Sequence, residues 1–177
     1  MRQYYYLIAS LPLLEFAMKP PLKYSDFLKC SREQLSAHDM DIIQRTKITP
    51  AQDVDESQAT LREWQIFDIT LRNEIVKFRA SRKLKDPAKY IRAPGYSDPF
   101  IASFAHWVTS QDSPMEAELS LDRERWQRLE ELAKAHYFDI DYLITYALQL
   151  QILERWQMIN SQPAIVALEA LLEKEII

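Results

Sequence analysis

The sequence predicts an all-α fold: an irregular multi-helix bundle of about seven to nine helices around one long central helix. Three observations carry that prediction. The 177 residues hold a single glycine, Gly95, and β architectures draw on glycine for tight turns and bulges. After residue 16 no segment alternates apolar and polar residues with the period of two that marks a half-buried strand. Helix-start signals recur instead. Asp86-Pro87, Asp98-Pro99 and Ser113-Pro114 each pair a capping side chain with a proline suited to the first helical position.

Residues 4 to 16 are apolar and aromatic and fit either a buried helix or a strand, because periodicity does not separate the two over so short a run. Beyond the loop Lys19 to Lys23, Ser25 opens a short helix through about Cys30, and Ser31 with Gln34 forms a capping-box pattern for another. Ser36 with Asp39 starts the next, which carries Met40, Ile42 and Ile43 and ends near Thr46. Ile48 to Asp55 reads as loop. Residues 46–57 are therefore the natural joint if the single helical domain 1–177 divides into an N-terminal subdomain, 1–46, and a main bundle, 57–177.

The strongest periodic signal runs from Ser57 to about Lys85. At 100° per residue Leu61, Trp64, Phe67, Leu71, Ile75 and Phe78 fall on one face, and Ile66, Ile69, Val76 and Ala80 on the opposite one. A helix apolar on two sides is sandwiched between neighbours. A narrow polar strip of Gln65, Asp68, Arg72 and Arg79 separates the faces, with Asp68 and Arg72 in the favourable order for an i, i+4 ion pair. Asp86-Pro87 then caps a short helix through Arg92, and Ala93-Pro94-Gly95 makes a turn. Asp98-Pro99 begins a helix with the stripe Phe100, Ile101, Phe104, Trp107 and Val108. Ser113-Pro114 begins the next, with Asp122 as a second cap inside it. Asp139 caps a helix over Ile140–Ile159, and Ser161 with Pro163 caps the last.

Composition excludes several function classes. One glycine supplies neither a P-loop nor a GxGxxG turn. One cysteine, Cys30, makes neither an intramolecular disulfide nor a CxxC metal site. A net charge of -4 is a poor start for nucleic-acid binding, and no run approaches 18 apolar residues, so no membrane span is expected. The N-terminus, with its three tyrosines and Pro12, reads as a structural segment of a cytoplasmic protein rather than a leader.

Catalytic signatures are missing from the sequence. His38, His106 and His136 show no paired metal-ligand spacing. His136, three residues before Asp139 and five before Asp141, reads as a helix-terminal histidine followed by an N-cap rather than as a metal ligand. Cys30 reads as a small buried apolar residue rather than an activated thiol. Glu154 falls within the apolar stripe of the 140–159 helix, so it is expected to be buried or nearly so. A structural ion pair with Arg72 or Arg79 is the favoured reading over an acid/base role. No cofactor is expected.

Charge is polarised along the chain. Seven basic residues lie between Lys77 and Arg92 against Asp86 alone, whereas Asp112 to Glu131 holds seven acidic residues and three basic ones. The basic corner of Arg79, Arg82, Lys83, Lys85, Lys89 and Arg92 is the expected docking face for an acidic partner, against a plain solvated surface as the bland reading.

Two stretches carry a resemblance. Tyr4-Tyr5-Tyr6-Leu7-Ile8-Ala9-Ser10-Leu11-Pro12 resembles the start of a family of short bacterial proteins encoded beside V-type ATPase subunits, and Phe138 through Trp156 resembles that family's C-terminal helix. Leu71-Arg72-Asn73-Glu74 and Arg79-Ala80 fit the same family. The pattern is also distantly similar to the C (or d) subunit of V/A-type rotary ATPases, though this chain is about half as long. The resemblance implies an all-helical, non-catalytic subunit or assembly and coupling factor of a V-type ATPase, a C/d-like central-stalk component in ion transport. Its partners would be central-stalk or membrane-ring subunits, and it would be cytoplasmic, held at the membrane through the complex. The alternative is a small helical enzyme or ligand-binding domain with a polar pocket near Glu154 and Arg72.

Overall fold

A computed structural model describes residues 3–49, 57–92 and 96–161. Within them the chain forms seven α-helices and no strand. They are α1 (Tyr5–Ser10), α2 (Tyr24–Gln34), α3 (Ala37–Arg45), α4 (Ala59–Arg82), α5 (Pro99–Thr109), α6 (Pro114–Ala133) and α7 (Ile140–Ile159), with a 3-10 turn at Pro87–Lys89 between α4 and α5. The all-α bundle expected from the sequence is what the chain adopts. The Ala93-Pro94-Gly95 turn, most of the 46–57 joint and the helix expected after Ser161 and Pro163 fall outside the described residues.

Local signals start most of the helices. Ser36 Oγ accepts the Asp39 N–H at 3.2 Å, Asp98 Oδ1 accepts the N–H groups of Phe100 and Ile101, Ser113 Oγ accepts that of Glu116, and Asp139 Oδ1 accepts that of Tyr142 at 3.1 Å. Each satisfies a donor the first helical turn leaves without an intrahelical partner. Asp86 caps only the 3-10 turn, through Ala88 N–H at 3.0 Å.

Several boundaries differ from expectation. The apolar stretch 4–16 is one short helix, α1, followed by irregular chain. The two small helices expected at Ser25 and Ser31 are a single helix, in which Ser31 is fully buried rather than capping. The periodic signal read from Ser57 becomes a helix at Ala59, capped by Gln58, whose Oε1 accepts the Leu61 N–H at 2.6 Å. Asp122 does not break α6: its carboxylate is drawn into the interior by arginines, as described below.

Helix α4, roughly 36 Å long at 1.5 Å per residue, is the centre of the bundle and packs against α5, α6 and α7. Leu61, Trp64, Phe67, Leu71 and Ile75 enter the core on one side, and Ile69 and Ala80 are buried on the other. Helices α2 and α3 pack on α7, so the core runs continuously from Leu7 and Phe27 to Leu150 and Leu153. On α5 Ile101, Ala105 and Val108 are buried and Phe104 packs half-buried against the core, while Phe100 and Trp107 of the expected stripe are exposed. No helix among the described residues is long and apolar enough to cross a membrane.

The scarcity of glycine shows in the helix ends. Leu84 takes φ 51° and Ala135 takes φ 72°, in the left-handed region that glycine enters without a steric penalty. After α4 the Leu84 N–H bonds to Ser81 O and the Lys85 N–H to Ala80 O, the paired bonds of a Schellman ending. Leucine stands where glycine is usual.

Candidate functional site

Three helices meet around a chain of charges. Asp68 of α4, fully buried, accepts from Arg72 Nε one turn on and from Arg125 Nε of α6 at 2.9 Å. Arg125, itself buried, donates through Nη1 to the fully buried Asp122 at 2.8 Å. Asp122 also accepts from Arg155 Nη1 at 3.3 Å and from the Trp156 indole N–H at 2.9 Å, both on α7. Arg155 reaches Glu118 as well. Burial opposes the charge on Arg125, but Asp68 and Asp122 outweigh it and raise its pKa above the ordinary arginine value. The network is charge-balanced, three carboxylates to three guanidiniums, as buried ions require.

Above this floor opens a cleft of about 540 Å³. Arg72, Arg125 and Arg155 line it from below, and Arg79 and Arg92 stand at its sides, with Glu118 the one acid in the lining. Ile48, Ile75, Val76 and Leu121 supply apolar wall and Tyr90 an aromatic one. The side chains of Arg79 and Arg92 have no hydrogen-bond or ion-pair partner among the described residues, so they are the net positive charge of the cleft.

Two amide side chains hold its walls. Asn73 of α4, buried, accepts the Arg92 N–H and donates to the Arg92 carbonyl, both at 2.9 Å. Gln151 of α7 accepts the Ile48 N–H at 3.1 Å and donates to the Thr46 carbonyl at 2.9 Å. Each amide grips irregular backbone at two points and fixes it to a helix.

The expected docking residues divide into two groups. Arg79 and Arg92 belong to the cleft. Lys83 and Lys85, in the turn after α4, line a smaller groove with Val76, Ala80 and Tyr90, which Arg79 shares. Lys89 stands exposed on the 3-10 turn, and Arg82 donates to the Thr109 carbonyl at the end of α5 at 3.2 Å. All six are exposed at one end of α4.

Other expectations are corrected. Glu154 is half-buried, and neither Arg72 nor Arg79 is its hydrogen-bond partner. Its Oε1 accepts the Tyr24 N–H at 2.7 Å, capping α2 from a distance of 130 residues in sequence. That carboxylate, after burial, is the second cause that pushes the Tyr24 phenol up to about 12. Glu154 is not among the described residues lining the cleft, so the expected pocket keeps its Arg72 half only. Cys30 is exposed, not buried.

His136, Asp139 and Asp141 bring potential ligand atoms within 4.8 Å of one another. Each already has a partner: His136 Nδ1 lies 2.8 Å from Asp139, Asp139 caps α7, and Asp141 accepts from Gln58 and Thr60. The hydrogen bond to Asp139 raises the His136 pKa, against partial burial and aided by the charges of Asp139 and Asp141. The arrangement is the helix-end histidine and N-cap aspartate read from the sequence.

The fold and the cleft define an all-α bundle that presents recessed arginines beside a lysine-rich turn. Residues 106–171 match the model of a family described as "Protein of unknown function (DUF2764)". The matched segment contains α6, α7 and the end of α5, hence Arg125 and Arg155 at the cleft floor; its description names no activity and no ATPase. Comparison with curated proteins and with solved structures returns no match.

Proposed function

We propose that this chain is a non-catalytic, helical subunit or assembly and coupling factor of a bacterial V-type ATPase, and that it docks an acidic surface of a stalk or ring subunit. The observation that carries the docking half is the exposed cluster of Arg82, Lys83, Lys85 and Lys89 at the end of α4, opposed in sequence only by Asp86, which is engaged as a cap. Such a patch steers association and suppresses partners of like charge. The resemblance of Tyr4–Pro12 and Phe138–Trp156 to the short ATPase-associated proteins names the partner. The first of these stretches forms α1 and its exit, the second α7 and its cap.

The test is affinity purification of the tagged chain from mildly solubilised native membranes, with mass spectrometry of what accompanies it. Catalytic and ring subunits of a rotary ATPase are expected at comparable amounts, and the triple reversal Arg82→Glu, Lys85→Glu, Lys89→Glu should release them. Recovery of the chain alone, or with soluble metabolic enzymes only, overturns the assignment. Retention of the subunits by the reversed variant overturns the docking face.

A further inference from the structure

We propose that the arginine cleft is a binding site for a small phosphorylated anion. This goes beyond the docking role and does not rest on it.

The cleft itself is lined by five arginines and no lysine, while exposed Arg82 stands outside it with Lys85 and Lys89. A lysine ammonium is a compact, strongly hydrated point charge. A guanidinium is a planar fork that meets phosphate oxygens two at a time. A surface evolved only for long-range attraction has no need of such a lining.

Donors remain unspent. Arg72 uses only Nε on Asp68, so both of its terminal nitrogens lack a protein partner among the described residues. Arg125 uses Nε and Nη1, leaving Nη2. Arg79 and Arg92 have all their side-chain donors open. The buried carboxylates Asp68 and Asp122 hold the floor arginines in place, so little side-chain ordering is left to the moment of binding. The Asn73 grip on the Arg92 backbone does the same for the rim. With Glu118 and the two buried aspartates counted against five arginines, the site carries an excess of two positive charges. A phosphate group carries about -1.5 to -2 at pH 7, so one such group already balances the excess, and the open donors of Arg72, Arg79, Arg92 and Arg125 can engage the oxygens of a second. The volume, about 540 Å³, lies within the usual range for small-molecule sites. Tyr90, Val76 and Ile48 give room for an uncharged portion.

The experiment is isothermal titration of the full chain with pyrophosphate and, separately, with ADP, in a buffer free of phosphate and sulfate. Saturable binding with a 1:1 stoichiometry is expected, weakening as salt rises. Comparable affinity for the two probes identifies free oligophosphate as the ligand, and an ADP affinity at least tenfold tighter identifies a nucleotide. Arg79→Gln with Arg92→Gln should weaken binding at least tenfold while leaving the thermal midpoint in place, because neither side chain has a partner to lose. Lys85→Glu with Lys89→Glu should change it less than threefold, which separates this site from the docking face. Absence of binding by both probes at millimolar concentration, or equal binding by the Arg79/Arg92 variant, overturns the proposal whatever the pull-down shows.

Discussion

Arg125→Met removes the ion that lies between two fully buried carboxylates while keeping an unbranched side chain of similar reach. Asp68 and Asp122 then lose contacts of 2.9 and 2.8 Å. Taking one partner from a buried pair costs about 3–5 kcal/mol, chiefly because the other charge stays behind in a poor solvent. Here each carboxylate keeps a second partner: Arg72 for Asp68, and Arg155 with the Trp156 indole for Asp122. The lower end, about 3 kcal/mol, is therefore expected. For a chain of this size that corresponds to a fall of roughly 6–12 °C in Tm. Urea unfolding followed by the helical circular-dichroism signal near neutral pH measures it. Repeating the measurement with Asp68→Asn alone and with both substitutions closes a double-mutant cycle, in which the second change should cost at least about 1 kcal/mol less than it does alone. A loss below about 1 kcal/mol for Arg125→Met would put the pair in the class of surface ion pairs and refute the claim that this network holds α4, α6 and α7 together.

Three further outcomes follow from local geometry. Leu84→Gly should stabilise the chain by about 1 kcal/mol, since a leucine at φ 51° is relieved and the Schellman bonds stay; an unchanged or lowered urea midpoint counts against strain at this helix end. Glu154→Ala should cost about 1 kcal/mol by uncapping α2, with Glu154→Gln restoring part of it through the amide oxygen; equal losses in the two variants would assign the effect to something other than the cap. The folded pKa of His136 is raised, so its ion pair with Asp139 contributes fully below the unfolded imidazole value of about 6.5 and is lost as pH rises through the folded value. The stability gap between the native chain and His136→Ala should thus narrow as pH rises above about 6.5, and a gap that does not change with pH would contradict the pairing.

What the sequence made legible was what chemistry within a few residues decides. Ser36, Asp98, Ser113 and Asp139 each cap a helix whose start they announce, because cap and recipient lie within three residues of each other. The stripe from Leu61 to Ile75 is periodic and therefore visible, and so is the Asp68–Arg72 pair. The start of α2 was read one residue late, at Ser25, but the helix has no side-chain cap of its own and the carboxylate that serves it arrives from α7, a partner no local pattern announces. Asp122 has the same identity as a cap and stands in a similarly charged stretch. Arg125 on its own helix and the approach of Arg155 and Trp156 from α7 together make it an interior ion, and the α7 partners are invisible locally. The basic corner was visible as a run of charge along the chain. The assignment of Arg79 and Arg92, but not Arg82, to the cleft was not, because the Asn73 hold on Arg92 joins residues 19 apart without any repeating spacing.

Asn73 and Gln151 set the aperture of the cleft without contributing to its charge. An amide is the side chain that offers a donor and an acceptor side by side; a carboxylate of the same shape has no proton to give the carbonyl. Conversion of either amide to the acid, by substitution or by spontaneous deamidation, would therefore loosen one wall while every arginine stayed in place. Opening width and electrostatic strength can drift independently through evolution. The same two positions are where a designer would begin to resize the recess for a bulkier guest.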